Sequence, residues 1–289
     1  MKVLTQQQVD AYRRDGFLSP FDALDEDERL RSLAGLERFE RWLGKPVNQA
    51  EVRWRTMPYL HLPWANALAR HPRILDVVEE LIGPDILIWT STFFIKEANS
   101  PTYAAWHQDG TYFGLEPPEL VTAWIALTAA SREAGCMECL SFDGAPRQYQ
   151  HRTLGLENSI NRAGQTIVEP LDERTPVAMP LAPGQFSLHH YWSVHRSGAN
   201  RTGHRRVGLG LNFIPAHARP TASGVKPAAM LVRGEDRHGH FELVPPPQAE
   251  FDAPGLAVHE YASGLYRRNY AEIEARHDGK PAQASRQLA

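Results

Sequence analysis

Hydrophobic and polar positions change their rhythm once along this chain. Up to about residue 85 the apolar residues recur three and four apart, the spacing that puts them on one side of a helix. Thr5 is placed to cap a helix running through Arg14, and Asp25 to Leu43 mixes Glu, Arg and Leu at helical spacing. His71 to Leu81 makes a further amphipathic helix, which Gly83-Pro84 ends because proline cannot continue it. From Ile86 the texture alters. ILIWTSTFFIK (86–96) is β-branched and aromatic, and shorter runs of this kind fall at Val121 to Thr128, Gln185 to His190 and Arg205 to Phe213, with turn residues between them. Helices first, then many strands without helical periods between them, is the order of an α+β chain whose sheets pack on each other as a jelly roll or barrel. Pro215 to Pro254 is rich in Pro, Gly, His and Arg and reads as a loop or lid over a sheet mouth, and Ala257 to Arg276 reads as a closing helix. The expected organisation is one domain over 1–289: helical support in 1–85, a jelly-roll core in 86–215, and a lid and helix in 216–289.

Composition narrows the partners. The chain has 289 residues, 42% of them hydrophobic, enough to bury a full core. A net charge of -3, with Lys and Arg spread along the chain, gives no basic field for nucleic acid. No apolar run reaches the roughly eighteen residues of a membrane span, and MKVLTQQQVDAYRRDG turns polar too early for a secretory segment. The expectation is a cytoplasmic protein, monomer or homodimer, acting on a small molecule. Cys136 and Cys139 form a lone C-x-x-C, which lacks the second pair of a four-ligand zinc site and reads as structural thiols.

Thirteen histidines are present, so spacing has to separate the candidates. In Trp106-His107-Gln108-Asp109-Gly110 the His and Asp stand two apart on an expected strand, projecting to one face while Gln108 points away. An isolated H-x-D is more often an ion pair than half a metal site. The segment PGQFSLHHYWSVHRSGANRTGHRRVGLGLNFIP (183–215) changes that balance. His195 stands before a polar turn, and Arg206 opens the returning strand. There Arg206, Gly208, Gly210 and Asn212 share one face, and Val207, Leu209, Leu211 and Phe213 share a core face. Glycines within a strand cost stability unless something approaches the backbone closely, so the bare face reads as a pocket floor. Arg206 offers that pocket a planar fork for a carboxylate, whereas Arg205 points oppositely and is expected to pair elsewhere. Two His and one carboxylate, with further positions open, is the donor set that suits Fe(II) oxygenases.

TQQQVDAYRRDGFL, HPRILDVVEELIGPDI, AAWHQDGTYFGL, VTAWIALTAASREAGCMECL and HRSGANRTGHRRVGL carry a resemblance over nearly the whole chain. The chain resembles the phytanoyl-CoA dioxygenase family of Fe(II)/2-oxoglutarate oxygenases, with HQDGTYFGL and HRSGAN as the specific blocks. The resemblance implies a double-stranded β-helix (cupin-like jelly roll) and the use of Fe(II), 2-oxoglutarate and O2. It implies His107 and Asp109 as proximal iron ligands, His195 as the distal ligand, and Arg206 with Ser197 on the C5 carboxylate of 2-oxoglutarate. Trp124 and Gln108 fall where the family often has cosubstrate contacts, although Gln108 points off the ligand face of a regular strand. The implied reaction hydroxylates an unactivated carbon of an amino acid, phosphonate, lipid or natural-product intermediate, releasing succinate and CO2. Related halogenases carry Ala or Gly in place of the carboxylate, so Asp109 favours hydroxylation over chlorination.

Three departures bear on the substrate. Ser141 to Pro146 replaces the usual Pro-Gly-Ser-His, Asn212 stands where many relatives have Arg, and Tyr191-Trp192 puts two large aromatics before the distal His. Phe94, Tyr103, Tyr112, Phe113 and Trp192 form the candidate substrate set, an aromatic group that suits an apolar or ring-bearing molecule, each equally able to serve the core. His189, His190, His204 and His217 read as solvated or structural. Two other classes stay open: a zinc hydrolase or isomerase, which would make Arg206 and Ser197 unnecessary, and a catalytically silent jelly-roll binding protein.

Overall fold

Capping decides where the N-terminal helices begin. In the computed structural model, which describes residues 3–161, 164–173, 175–222 and 224–277, α1 (Gln6–Asp15) starts at Thr5 and α2 (Glu26–Leu43) at Asp25. Each cap side chain accepts from a backbone N–H, and Gln8 or Glu28 reaches back to the cap's own N–H, so two otherwise orphaned donors are satisfied. The first turn of α2 carries Glu26, Asp27 and Glu28, the charge sign its dipole favours. The helical reading of the first eighty residues fails between them, where FLSPFD forms strand β1 (Phe17–Asp22) on the sheet edge. Short helices α3 (Val52–Arg55) and α4 (Pro63–Ala69) lead into α5 (Pro72–Ile82), and α6 (Ala253–His277) closes the described chain.

The remaining main strands are β2 (Ile86–Lys96), β3 (Ala104–His107), β4 (Val121–Ala126), β5 (Met137–Leu140), β6 (Val177–Met179), β7 (Gln185–His190), β8 (Val194–Ser197), β9 (Arg206–Pro215), β10 (Ala228–Arg233) and β11 (Glu242–Leu243). A seven-stranded sheet runs β1-β7-β4-β9-β2-β10-β11 and a four-stranded sheet β3-β8-β5-β6, antiparallel except for β10 with β11. Packed together they make the double-stranded β-helix. Strand β10 corrects the reading of Pro215 to Pro254 as loop: AAMLVR is an apolar run hidden among turn residues, and Met230 pairs opposite Ile88 to extend the sheet. No described helix is long and apolar enough to cross a membrane.

Strand parity builds the layers. Val207, Leu209, Leu211 and Phe213 of β9, with Phe93, Ile95, Ala123, Ile125, Phe186 and Leu188 on neighbouring strands, enter one buried cluster with Phe39, Leu68, Ile74 and Val78 of the helices. Each of the larger side chains contributes about 1.5–3 kcal/mol on burial, and a one-residue slip would turn the set to the wrong face, so the register is firmly specified. On the opposite face Arg206, Gly208, Gly210 and Asn212 lie opposite Lys96, Phe94, Thr92 and Thr90 of β2. Gly210 and Asn212 also face Trp124 and Thr122 of β4, which pair in turn with Ser187 and His189 of β7. That face looks toward the smaller sheet and carries the site.

Candidate functional site

Antiparallel pairing of β8 with β3 puts His195 opposite His107, which brings the two imidazoles to a centroid separation of 4.2 Å. Strand β3 stops at His107, and Asp109 opens a short 3-10 turn (Asp109–Tyr112), so the turn aims the carboxylate and the expected strand alternation across 107–109 does not apply. Asp109 Oδ1 lies 3.8 Å from Nε2 of both His107 and His195, and the three potential ligand atoms fall within 4.8 Å of one another. His107 Nδ1 bonds the Ala105 carbonyl at 2.8 Å and His195 Nδ1 the Ser193 carbonyl at 3.0 Å. Protons on Nδ1 leave both Nε2 lone pairs directed at the carboxylate side.

The charge balance suits a cation. Burial lowers the basicity of His107 and His195, keeping both rings neutral. Burial alone would raise the Asp109 carboxyl, but the hydrogen bond from His189 and the surrounding imidazoles outweigh it and hold the group well below the usual carboxylate range. Its second oxygen is anchored separately: His189 Nε2 lies 3.1 Å from Oδ2, and Thr122 Oγ1 donates to it at 3.2 Å while accepting from Asn212 Nδ2 at 2.8 Å. Oδ1 is thereby left toward the histidines.

A second polar element lies in the same cavity. Arg206 is only 3% exposed; it donates to the Gly135 carbonyl at 2.5 Å and weakly to that of Phe94 at 3.5 Å, while its buried Nε has no partner. No carboxylate pairs with it among the described residues, and burial lowers the guanidinium to about 10. The Trp124 ring stands 5.2 Å from it. Ser197 presents its hydroxyl beside this recess, with Oγ accepting from Lys96 Nζ at 2.7 Å. Arg205 turns to the other face, bonded to Glu40 at 2.6 and 2.8 Å and to Glu97 at 3.0 Å.

The glycines of β9 serve a different purpose from the pocket floor expected of them. A Cβ on Gly208 would collide with the Trp124 ring, and one on Gly210 would press Phe94. The bare backbone therefore admits two aromatic rings, and these rings wall the pocket.

That cavity, about 1010 Å³, is lined by His107, Asp109, His195, Arg206, Ser197 and Trp124. Phe94, Tyr112 and Phe113 of the expected substrate set also line it, joined by Tyr266 and Tyr270 from α6, with the Tyr112 and Tyr270 rings tilted against each other at a centroid separation of 5.1 Å. Tyr103 and Trp192 are not among the lining residues. The Tyr103 backbone bonds Asn158, and the Trp192 ring packs on Tyr191 at 4.4 Å; Tyr191 itself fills the space beside Gly110. Gln108 is likewise engaged away from the cavity, donating to the carbonyls of Trp192 (2.6 Å) and Arg147 (2.9 Å) and accepting from Tyr149 N. Cys136 and Cys139 are free, buried thiols. The sequence reading missed Thr122 and Lys96, and read His189 as solvated or structural, whereas it is buried and bonded to Asp109. Thr122 sits in register with both His189 and Asn212, and Lys96 with Arg206, pairings between distant strands that alternation within one strand does not reveal.

Comparison with known proteins places this geometry in a family. A probable alpha-ketoglutarate-dependent hypophosphite dioxygenase of Stutzerimonas stutzeri is 26% identical over 166 residues, 56% of this chain and 57% of that protein. Peroxisomal phytanoyl-CoA dioxygenase of Homo sapiens is 27% identical over 149 residues, 50% of this chain and 44% of that protein. The chain spans about half the length of the curated relatives it matches. Among solved structures, the non-heme monooxygenase ThoJ in its apo form superposes with a TM-score of 0.81 at 29% identity, over 93% of this chain and 99% of that one. The ThoJ-Ni complex gives 0.75 at 28% identity, over 92% and 99%. The sequence profile of the phytanoyl-CoA dioxygenase (PhyH) family matches residues 12–208, a span that holds His107, Asp109, His195 and Arg206, and the chain belongs to that family.

Proposed function

We propose that this chain is an Fe(II)- and 2-oxoglutarate-dependent oxygenase that hydroxylates a carbon of a small molecule, with release of succinate and CO2. The observation that carries the reading is Arg206: a buried guanidinium without a carboxylate partner among the described residues, in the same cavity as a cluster of two neutral imidazoles and one ionised carboxylate. A hydrolytic zinc site has no use for that cation, whereas a dicarboxylate cosubstrate needs it. Two relatives, a probable alpha-ketoglutarate-dependent hypophosphite dioxygenase and a non-heme monooxygenase, support the same chemistry.

In this reading His107 Nε2, His195 Nε2 and Asp109 Oδ1 hold iron, and Fe(II) with 2-oxoglutarate supplies the O2 activation that side chains lack. The chain's own contribution is geometry and exclusion of water. The carbonyls of Ala105 and Ser193 fix the two rings, and Thr122 with His189 fix the carboxylate through Oδ2, so the ligand face is set before metal enters. Arg206 and the Ser197 hydroxyl grip the distal carboxylate of 2-oxoglutarate, with Trp124 beside it. Asp109 fills the coordination position a halide would need, which favours hydroxylation. Phe94, Tyr112, Phe113, Tyr266 and Tyr270 support an apolar or ring-bearing substrate, and the cavity volume leaves room for it beside the cosubstrate. Incubation with Fe(II), 2-oxoglutarate, O2 and a panel of such molecules is expected to yield substrate-stimulated succinate. Turnover supported by Zn(II) and independent of 2-oxoglutarate would favour the hydrolase instead.

A further inference from the structure

Lys96 is fully buried at the end of β2, directly opposite Arg206 in the β2/β9 register. Its Nζ donates to Ser197 Oγ at 2.7 Å and to the Gly198 carbonyl. Like Arg206, it has no carboxylate partner among the described residues. The nearby anion-capable group is the Cys136 thiol, and burial raises that thiol so that it stays neutral. Burial, reinforced by the neighbouring Arg206 charge, lowers the lysine to about 6, so that near pH 7 the amine is largely neutral until an anion beside it favours its protonation. A second buried charge beside Arg206 is disfavoured by desolvation and by mutual repulsion unless an anion offsets both. The turns behind the recess are pressed together: Gly135 is left-handed at φ 71°, and a Cβ there would strike the Gly198 carbonyl. Their two carbonyls are the ones that take the Arg206 and Lys96 protons.

We propose that Lys96 is a positioning residue for the cosubstrate: by donating to Ser197 Oγ it turns the hydroxyl proton toward the distal carboxylate of 2-oxoglutarate, and once protonated against that carboxylate it adds positive charge behind Arg206. A hydroxyl has one proton and two acceptor lone pairs, and the Lys96 bond occupies an acceptor site. No acceptor for the Ser197 hydroxyl proton is found among the described residues, so the proton is available to a ligand in the cavity. Sequence reading pairs Arg with Ser on this carboxylate; Lys96 stands behind that pair and reaches the ligand through Ser197. The inference rests on the 2-oxoglutarate reading above.

Its test needs no turnover. Anaerobic protein loaded with Fe(II) is titrated, through the visible charge-transfer absorption, with 2-oxoglutarate and with 2-oxobutanoate, which keeps the oxoacid end and lacks the distal carboxylate. Lys96→Met is expected to weaken 2-oxoglutarate about 10- to 100-fold, the range of a lost hydrogen bond to a charged group, and to leave 2-oxobutanoate within about twofold. Lys96→Gln keeps a donor for Ser197 and is expected to lie between wild type and Met; it also serves if the Met variant does not fold. Equal losses for both acids, or unchanged 2-oxoglutarate affinity in a folded variant, would make Lys96 a structural tie and overturn the inference. Wild-type protein that gives no absorption with either acid would instead remove the cosubstrate reading, and this inference with it.

Discussion

Arg206→Met separates cosubstrate binding from folding. In the ligand-free protein the guanidinium is a burden: its fall to about 10 corresponds to roughly 3 kcal/mol of lost preference for the charged form. Methionine removes that penalty and fills much of the same volume. Against this, the Gly135 carbonyl loses its donor at 2.5 Å, a loss of about 1–3 kcal/mol. The two terms nearly cancel, so the thermal midpoint without ligand is expected to move by only a few degrees. Cosubstrate binding has no such compensation. Losing one partner of a buried, hydrogen-bonded charge pair costs about 3–5 kcal/mol, which is roughly two to four powers of ten in Kd. Thermal shift measures both at once: at 2-oxoglutarate about a hundredfold above its wild-type Kd, binding adds about 2.7 kcal/mol to wild-type stability and almost nothing to the variant. A large drop in the ligand-free midpoint, with the 2-oxoglutarate shift retained, would show that Arg206 is structural.

Three further substitutions probe the supports. Thr122→Val removes a donor to Asp109 Oδ2 and is expected to weaken Fe(II) about 10- to 100-fold; unchanged affinity in a metal titration would mean the carboxylate is held without it. Gly208→Val drives a branched side chain into the Trp124 ring, so tryptophan fluorescence should shift and 2-oxoglutarate affinity fall while Fe(II) affinity holds. Leu209→Ala, on the fully buried helix-facing side of the same strand, should cost about 2–5 kcal/mol in denaturant unfolding and leave metal affinity intact.

Strand β9 shows what the sequence could say. Alternation alone separates Arg206 from Arg205, and the structure puts them on opposite faces, the one in the cavity and the other on Glu40 and Glu97. The same alternation marked the face on which the glycines lie, but not what covers them, because that depends on Trp124 reaching across from β4. Helix starts were readable where Thr5 and Asp25 make local capping boxes, whereas β10 was masked by the Pro and Gly residues around a six-residue apolar run. Contacts made through long-range pairing were the hardest. Thr122 and His189 reach Asp109 from β4 and β7, and Lys96 reaches Ser197 across 101 positions, distances over which no periodicity carries information. Trp192 and Tyr103 have the right chemistry for a pocket wall, yet packing on Tyr191 and a backbone bond to Asn158 place them elsewhere.

The joint presence of an iron face and a dicarboxylate anchor is tested most directly by adding 2-oxoglutarate to the Fe(II)-loaded protein without oxygen and recording its visible spectrum. A weak metal-to-ligand charge-transfer band is expected in wild type and absent from His107→Ala. Tight Zn(II) binding with no band from Fe(II) and 2-oxoglutarate would contradict the oxygenase reading.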